Sequence, residues 1–216
     1  KKQEYFYNLS PYNLIHILLR KDVLGEDKYA QAAQYFKEWQ KQNVLIQDTT
    51  PAIYFYSQHY ALKGEKKTRL GFVALMKLEE KNSAVFAHEN TRKEPKEDRL
   101  KLLKRVRANL SPIFAVCKDE KRIIKRIYVR LQNQPPFIEV TDEEKVQHRV
   151  WRIEDHDTIA LIQAGMSQEN VYIADGHHRF EVARAFRGEM MKKDQGASEE
   201  EGYNYIMTYF TNTDFR

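Results

Sequence analysis

Cysteine is nearly absent: Cys117 is the single one in 216 residues. No disulfide can form within the chain, which points to a reducing, cytoplasmic setting. Cys117 follows the apolar run Ile113-Phe114-Ala115-Val116, so a small core residue is expected there rather than a nucleophile. Long apolar runs are missing too. No stretch approaches the roughly 18 residues of a membrane span. Asn13–Leu19 is apolar but short and lacks a cleavable pattern, so neither a membrane partner nor a signal peptide is expected. Low-complexity tracts and internal repeats are absent, which excludes a disordered tail and a solenoid. So are CxxC and HExxH, the usual ligand spacings of zinc. Proline (6) is sparse, and Pro135-Pro136 is the one linker-like step. A single domain over 1–216 is therefore expected, with at most a weak boundary near 135. The chain opens on Lys1 and stops just after an apparent strand, as an excerpt of a longer protein would.

What is present is a core-forming composition: 42% hydrophobic, with 13 Tyr and 11 Phe. The net charge of +5 comes from 36 Lys and Arg against 31 Asp and Glu. A basic balance raises the prior for nucleotides or nucleic acid. Interleaved signs, however, describe an ordinary solvated surface.

Strands and helices alternate irregularly. Asp27–Gln42 has helical periodicity, with Tyr29, Ala32, Ala33, Phe36 and Trp39 on one face. Ala52–Leu62 and Thr68–Leu78 are β-rich runs, read as a hairpin joined by 63–67. A short strand is expected at Ser83–Ala87, a helix at Lys96–Leu110 and a strand at Ile113–Lys118. Lys121–Leu131 reads as helix, Phe137–Thr141 and Val146–Ile153 as strands. Asp155–Gly165 reads as a short helix capped by Asp155 or Asp157 and stopped by Gly165. The end of the chain reads strand (Val171–Ala174), helix (His177–Lys193), strand (Tyr203–Thr211). Hairpins preceding strand–helix units favour an α+β fold over a doubly wound sheet.

The most informative segment is Ala174-Asp175-Gly176-His177-His178-Arg179. Gly176 allows a tight turn and close backbone approach. A helix begins at once, and helix N-termini present unpaired N–H groups and partial positive charge, which suit a phosphate. His177, His178 and Arg179 add cationic or hydrogen-bonding groups that oppose the helix dipole, a cost an anion would offset. Asp175 is open to three roles: capping the helix, holding Mg²⁺, or orienting a histidine. The plain alternative makes Asp175 an N-cap and the histidines exposed polar residues. A zinc alternative uses His177, His178 and Glu181, spaced i, i+4 from His177, but lacks further ligands.

These residues resemble those of the domain-of-unknown-function family 1015. The matching stretches are Ser10-Pro11-Tyr12-Asn13-Leu14-Ile15-His16, Ile53-Tyr54-Phe55-Tyr56, His88-Glu89-Asn90-Thr91 with Pro95, Lys96, Asp98 and Arg99, and Tyr172 through Arg179. More distantly, His88-Glu89 followed by Asp175-Gly176-His177-His178-Arg179 resembles the ParB/sulfiredoxin-like fold, and within it the free-serine kinases. The resemblance implies a ParB/sulfiredoxin-like core with an N-terminal β-hairpin-rich elaboration. It also implies Glu89, with His88, as the catalytic pair, Glu89 being the base on a substrate hydroxyl, and Asp175 through Arg179 as the cradle of nucleotide phosphates. Sulfiredoxin has Cys where this chain has His177, which speaks against sulfinic acid repair. ParB proteins carry Glu and Arg where His177 and His178 stand, and no helix-turn-helix follows, which speaks against a role on DNA.

On chemistry alone, a carboxylate beside a phosphate site can accept a proton from an attacking hydroxyl. Phosphoryl transfer otherwise needs positioning and charge neutralisation by Mg²⁺, arginine and backbone N–H groups. Arg92 and Arg99 are further candidate clamps. The expected function is a nucleotide- and Mg²⁺-dependent phosphotransferase using ATP or ADP and a small hydroxyl-bearing substrate. The rivals are a nucleotide sensor without turnover and a metal-dependent hydrolase.

Overall fold

A computed structural model describes residues 2–22, 24–79, 84–87, 93–194 and 198–213; of Lys93 and Glu94 it describes the backbone alone. Among them, in chain order, are α1 (Lys2–Leu9), α2 (Ile15–Leu18), α3 (Lys28–Lys41), β1 (Ile53–Leu62), β2 (Glu65–Lys77), β3 (Val85–Phe86) and α4 (Lys93–Val106). Then come β4 (Ile113–Cys117), α5 (Ile123–Leu131), β5 (Ile138–Thr141), β6 (Gln147–Ile153), α6 (His156–Met166), β7 (Val171–Asp175), α7 (His177–Lys193) and β8 (Tyr205–Asn212). The fold is α+β, built on one mixed eight-stranded sheet of order β3-β7-β4-β8-β2-β1-β6-β5. Pairing is antiparallel except for β3 with β7 and β4 with β8. Strands from both sides of Pro135 share this sheet, since β6 pairs with β1.

The alternation of each strand decides which face is dry. Phe55 and Phe72 are directly opposite on β1 and β2, and Phe72 faces Phe210 on β8. Ile113, Ala115 and Ile173 continue that face across β4 and β7. Onto it pack Ile123, Ile124 and Ile127 of α5, Ile162 of α6, and Phe180 and Ala183 of α7. A second apolar cluster of Ile17, Trp39, Ala32, Leu102 and Val106 ties α2, α3 and α4 together. Through α4, it is joined to α7. Helix α7 therefore has the sheet on one side and α4 on the other, which fixes where its first turn points.

Three local details differ from the expected pattern. The β1–β2 loop is two residues, not five: Leu62 pairs with Glu65, and Lys63 and Gly64 both take positive φ. That turn geometry matches the strand twist, so the polar residues 65–67 extend the ladder into solvent. Helix α6 runs through Gly165 to Met166. An added Cβ at Gly165 would lie 2.8 Å from Ile123 Cγ1, so this glycine serves close packing of α6 on α5 and does not stop the helix. Asp155 is its cap, accepting from the Thr158 N–H at 2.8 Å. Helices α1 and α2 have no counterpart in the expected pattern.

Candidate functional site

The β7–α7 turn is built as its residue types require. Asp175 is the last residue of β7, and Gly176 is the N-cap of α7 with φ 92°, a left-handed conformation that glycine adopts without a Cβ penalty. Being glycine, the N-cap residue has no side chain with which to cap the helix. Asp175, one of whose three open roles was that cap, instead turns its carboxylate to Arg179, 2.6 Å from Nη2. Its side chain is 72% exposed.

Arg179 is the keystone of the turn. Its Nη1 donates to Ser111 Oγ at 2.8 Å and to the Pro112 carbonyl at 2.6 Å, and Nη2 donates to Asp175. Three of the five N–H donors of the guanidinium are thus held by protein groups. Burial pulls its pKa below the usual arginine value; Asp175 opposes that shift and the neighbouring Arg99 adds to it. Gly176 matters here a second time. A Cβ on it would lie 2.9 Å from Arg179 Nη2 and 2.9 Å from Ile113 Cγ2.

The two histidines part company. His177 is 3% exposed and faces the protein interior. His178 is half-buried, and its Nε2 is out of solvent with no hydrogen-bond partner among the described residues. The plain alternative, in which both histidines are exposed polar residues, therefore gives way to one buried and one half-buried ring. The sequence carried a clue: His177 lies three residues before Phe180 and six before Ala183, on the face those residues bury.

Glu181 is ion-paired with Lys96 at 2.7 Å. Among the described residues no three His, Cys, Asp or Glu side chains come together to hold a metal ion. The zinc alternative thus gains nothing from Glu181. Arg179 engages only Oδ2 of Asp175, and the other carboxylate oxygen is the one a Mg²⁺-dependent reading would use. His88, Glu89 and Arg92 lie outside the described residues. Arg99, on α4, lies close enough to Arg179 to disfavour its proton.

Nothing in the local pattern marks Ser111 and Pro112, which hold Arg179 from 68 and 67 residues away. A second polar constellation also escaped the sequence reading. On the sheet face opposite the core, Tyr56 Oη and His148 Nδ1 are 2.6 Å apart, and His148 Nε2 is 3.0 Å from Asp142 Oδ2. Phe114, Tyr209 and Tyr56 line up beside it, with ring centroids 5.4 Å apart at each step.

The fold and the turn define the class: a mixed α+β protein in which a long helix starts directly after a left-handed glycine at a strand end. The chain matches DUF1015, a family of proteins of unknown function, over residues 1–215, and it belongs to that family. No curated protein and no solved structure matches it. No described helix is long and apolar enough to cross a membrane.

Proposed function

We propose that this protein is a nucleotide- and Mg²⁺-dependent phosphotransferase acting on a small hydroxyl compound, on a ParB/sulfiredoxin-like core. The observation that carries the reading is the start of the 17-residue helix α7 directly behind left-handed Gly176, a cap residue with no side chain of its own. The first N–H groups of such a helix carry about half a positive charge and seek an acceptor. A phosphate is the acceptor that fits, and Asp175, exposed beside it, is placed to share a Mg²⁺ with the phosphate oxygens. In this reading Arg179 fixes the turn, and the residual donors of its guanidinium face the anion. Glu89 is the base for the acceptor hydroxyl, by resemblance to the free-serine kinases.

A sensor without turnover is the second reading. The commitment of Arg179 to Ser111, Pro112 and Asp175 favours it, because an arginine so held has few donors left for a transition state.

Thermal unfolding with ATP, ADP or no nucleotide, each with Mg²⁺ or EDTA, tests the binding step. A ligand that binds only the folded state stabilises by about 2.7 kcal/mol at a hundred times its dissociation constant. Stabilisation by nucleotide with Mg²⁺ is expected. Its absence across the panel would remove the basis of both readings. Glu89→Gln then separates them: under the first, it abolishes phosphate transfer and leaves nucleotide binding intact.

A further inference from the structure

Between α4 and α7, closed on one side by the loop 108–111, lies a cavity of about 60 Å³. One water needs about 10–15 Å³ in this measure, so the space suits a few waters or one small organic molecule. Its walls are mostly apolar, with Leu18, Leu102, Leu110 and Val182 among them. Into this lining project two arginines, Arg99 and Arg179, together with Asn109 and Ser111.

The charges around the cavity do not balance. Arg179 has Asp175 as its counter-ion at 2.6 Å. Arg99 makes no ion pair or hydrogen bond among the described residues. The carboxylate next to it in sequence, Asp98, bonds to Tyr29 at 2.8 Å and Lys28 at 3.2 Å and reaches Arg99 only through space, without forming an ion pair with it. A guanidinium beside another guanidinium, against an apolar wall, is an unfavourable arrangement until an anion joins it. Two cations and one carboxylate leave a single positive charge to neutralise. Ser111 Oγ accepts from Arg179, so its own O–H remains to donate.

We propose that this cavity binds a small organic monoanion, a carboxylate on a short aliphatic body, with Arg99 as its counter-ion. The carboxylate lies against Arg99 and the Ser111 hydroxyl, and the aliphatic part fills the space between Leu102, Leu110 and Val182. Charge selects the class. A phosphate monoester carries about −1.5 to −2 near neutral pH and would overshoot the single free cation in an apolar lining. A neutral amide would leave it unpaired. The cavity shares Arg179 with the β7–α7 turn, but its anion is held by Arg99 and Ser111, so the proposal stands whether or not the first N–H groups of α7 hold a phosphate.

Calorimetric titration of the whole chain with acetate, isobutyrate and isovalerate, with isobutyramide and with inorganic phosphate, tests this. Isobutyrate or isovalerate should bind about tenfold or more tighter than isobutyramide, the ratio a lost charge-assisted hydrogen bond implies. Arg99→Gln should weaken the carboxylate by a similar factor and leave the binding of isobutyramide unchanged. Arg99→Lys, which keeps the charge, should recover part of the affinity. Equal binding of acid and amide, undiminished carboxylate binding in Arg99→Gln, preference for phosphate, or no carboxylate binding at all would each overturn the proposal. Loss of the nucleotide response alone would strike the phosphate reading and leave this one standing.

Discussion

Replacing Gly176 with alanine perturbs the turn in two separable ways. The first is conformational: at φ 92° an L-residue is held in the left-handed region, at a cost of about 1–2 kcal/mol. The second is steric, since the new methyl would lie 2.9 Å from both Ile113 Cγ2 and Arg179 Nη2. Ile113 is fully buried and has nowhere to go. Arg179 must move, and giving up one bond to a charged group costs about 1.5–3 kcal/mol. The sum is about 2.5–5 kcal/mol. Gly64→Ala isolates the first part, because Gly64 has φ 82° with nothing within 4 Å of an added Cβ. For a domain of this size each kcal/mol moves the melting temperature by about 2–4 °C. Thermal unfolding followed by circular dichroism should therefore show Gly176→Ala falling about twice as far as Gly64→Ala, or more. Equal shifts would mean that Arg179 does not depend on the missing Cβ, and the account of the turn would fail.

Other outcomes follow from the same packing. Gly188→Ala, inside α7 with open space around it, should stabilise by about 0.8 kcal/mol through helix propensity. Gly165→Ala has the same propensity gain but meets Ile123 at 2.8 Å, and overpacking at about 1–3 kcal/mol wins, so denaturant titration should show a loss. Burial pushes the Cys117 thiol up to about 12. A thiol-specific reagent at pH 8 should leave it unmodified in the native protein and label it only in denaturant; native labelling at the rate of a free thiol would contradict the fold around β4. Asp155 is held below the usual carboxylate range, chiefly by its bonds to Thr158. Its folded pKa lies below the unfolded one, so its stabilisation is complete above the ordinary Asp value near 4 and fades as pH falls through the folded value. Asp155→Ala should cost about 1 kcal/mol at pH 7 and flatten that part of the acid limb.

The parts of the fold legible in the sequence are those where a local pattern and a tertiary partner agree. The β-rich runs of β1 and β2, the apolar face of α3 and the bounds of α7 are of this kind. Asp27 stands just before α3 rather than inside it, its Oδ1 accepting from the Tyr29 and Ala30 N–H groups. Helix α1 was illegible because none of its residues is buried, so it has no apolar stripe to read. Helix α2 is a single turn, its first N–H bonded to Asn13 Oδ1 at 3.0 Å. Its apolar run invites only the question of a membrane or signal segment. The site divides the same way. Gly176 and the helix start were visible because both are local. The role of Arg179 was not, because its partners Ser111 and Pro112 come from a distant loop, and neither is a residue type that announces itself.

That distant anchoring bears on how the turn could handle a metal and an anion together. Arg179 and Asp175 are four residues apart and already form an ion pair at 2.6 Å. A Mg²⁺ ion bound through Asp175 must either share the carboxylate with the guanidinium or displace it. Sharing is feasible, because each carboxylate has two oxygens and only Oδ2 is engaged by Arg179. Mg²⁺ usually keeps several waters and takes one or two carboxylates plus phosphate oxygens, so a single free oxygen on an exposed Asp175 is a sufficient protein contribution. Displacement is the costlier course: it would leave Arg179, partly buried and beside Arg99, without its one counter-ion. If the protein is the proposed phosphotransferase, metal and nucleotide should arrive together, the phosphates supplying the negative charge that lets Asp175 serve two cations at once. Titrating Mg²⁺ alone, and then Mg²⁺ with ATP, should show weak binding in the first case and tight, mutually dependent binding in the second. Asp175→Asn should remove that dependence and lower the melting temperature by freeing Arg179. Tight Mg²⁺ binding without nucleotide would contradict the shared-carboxylate picture.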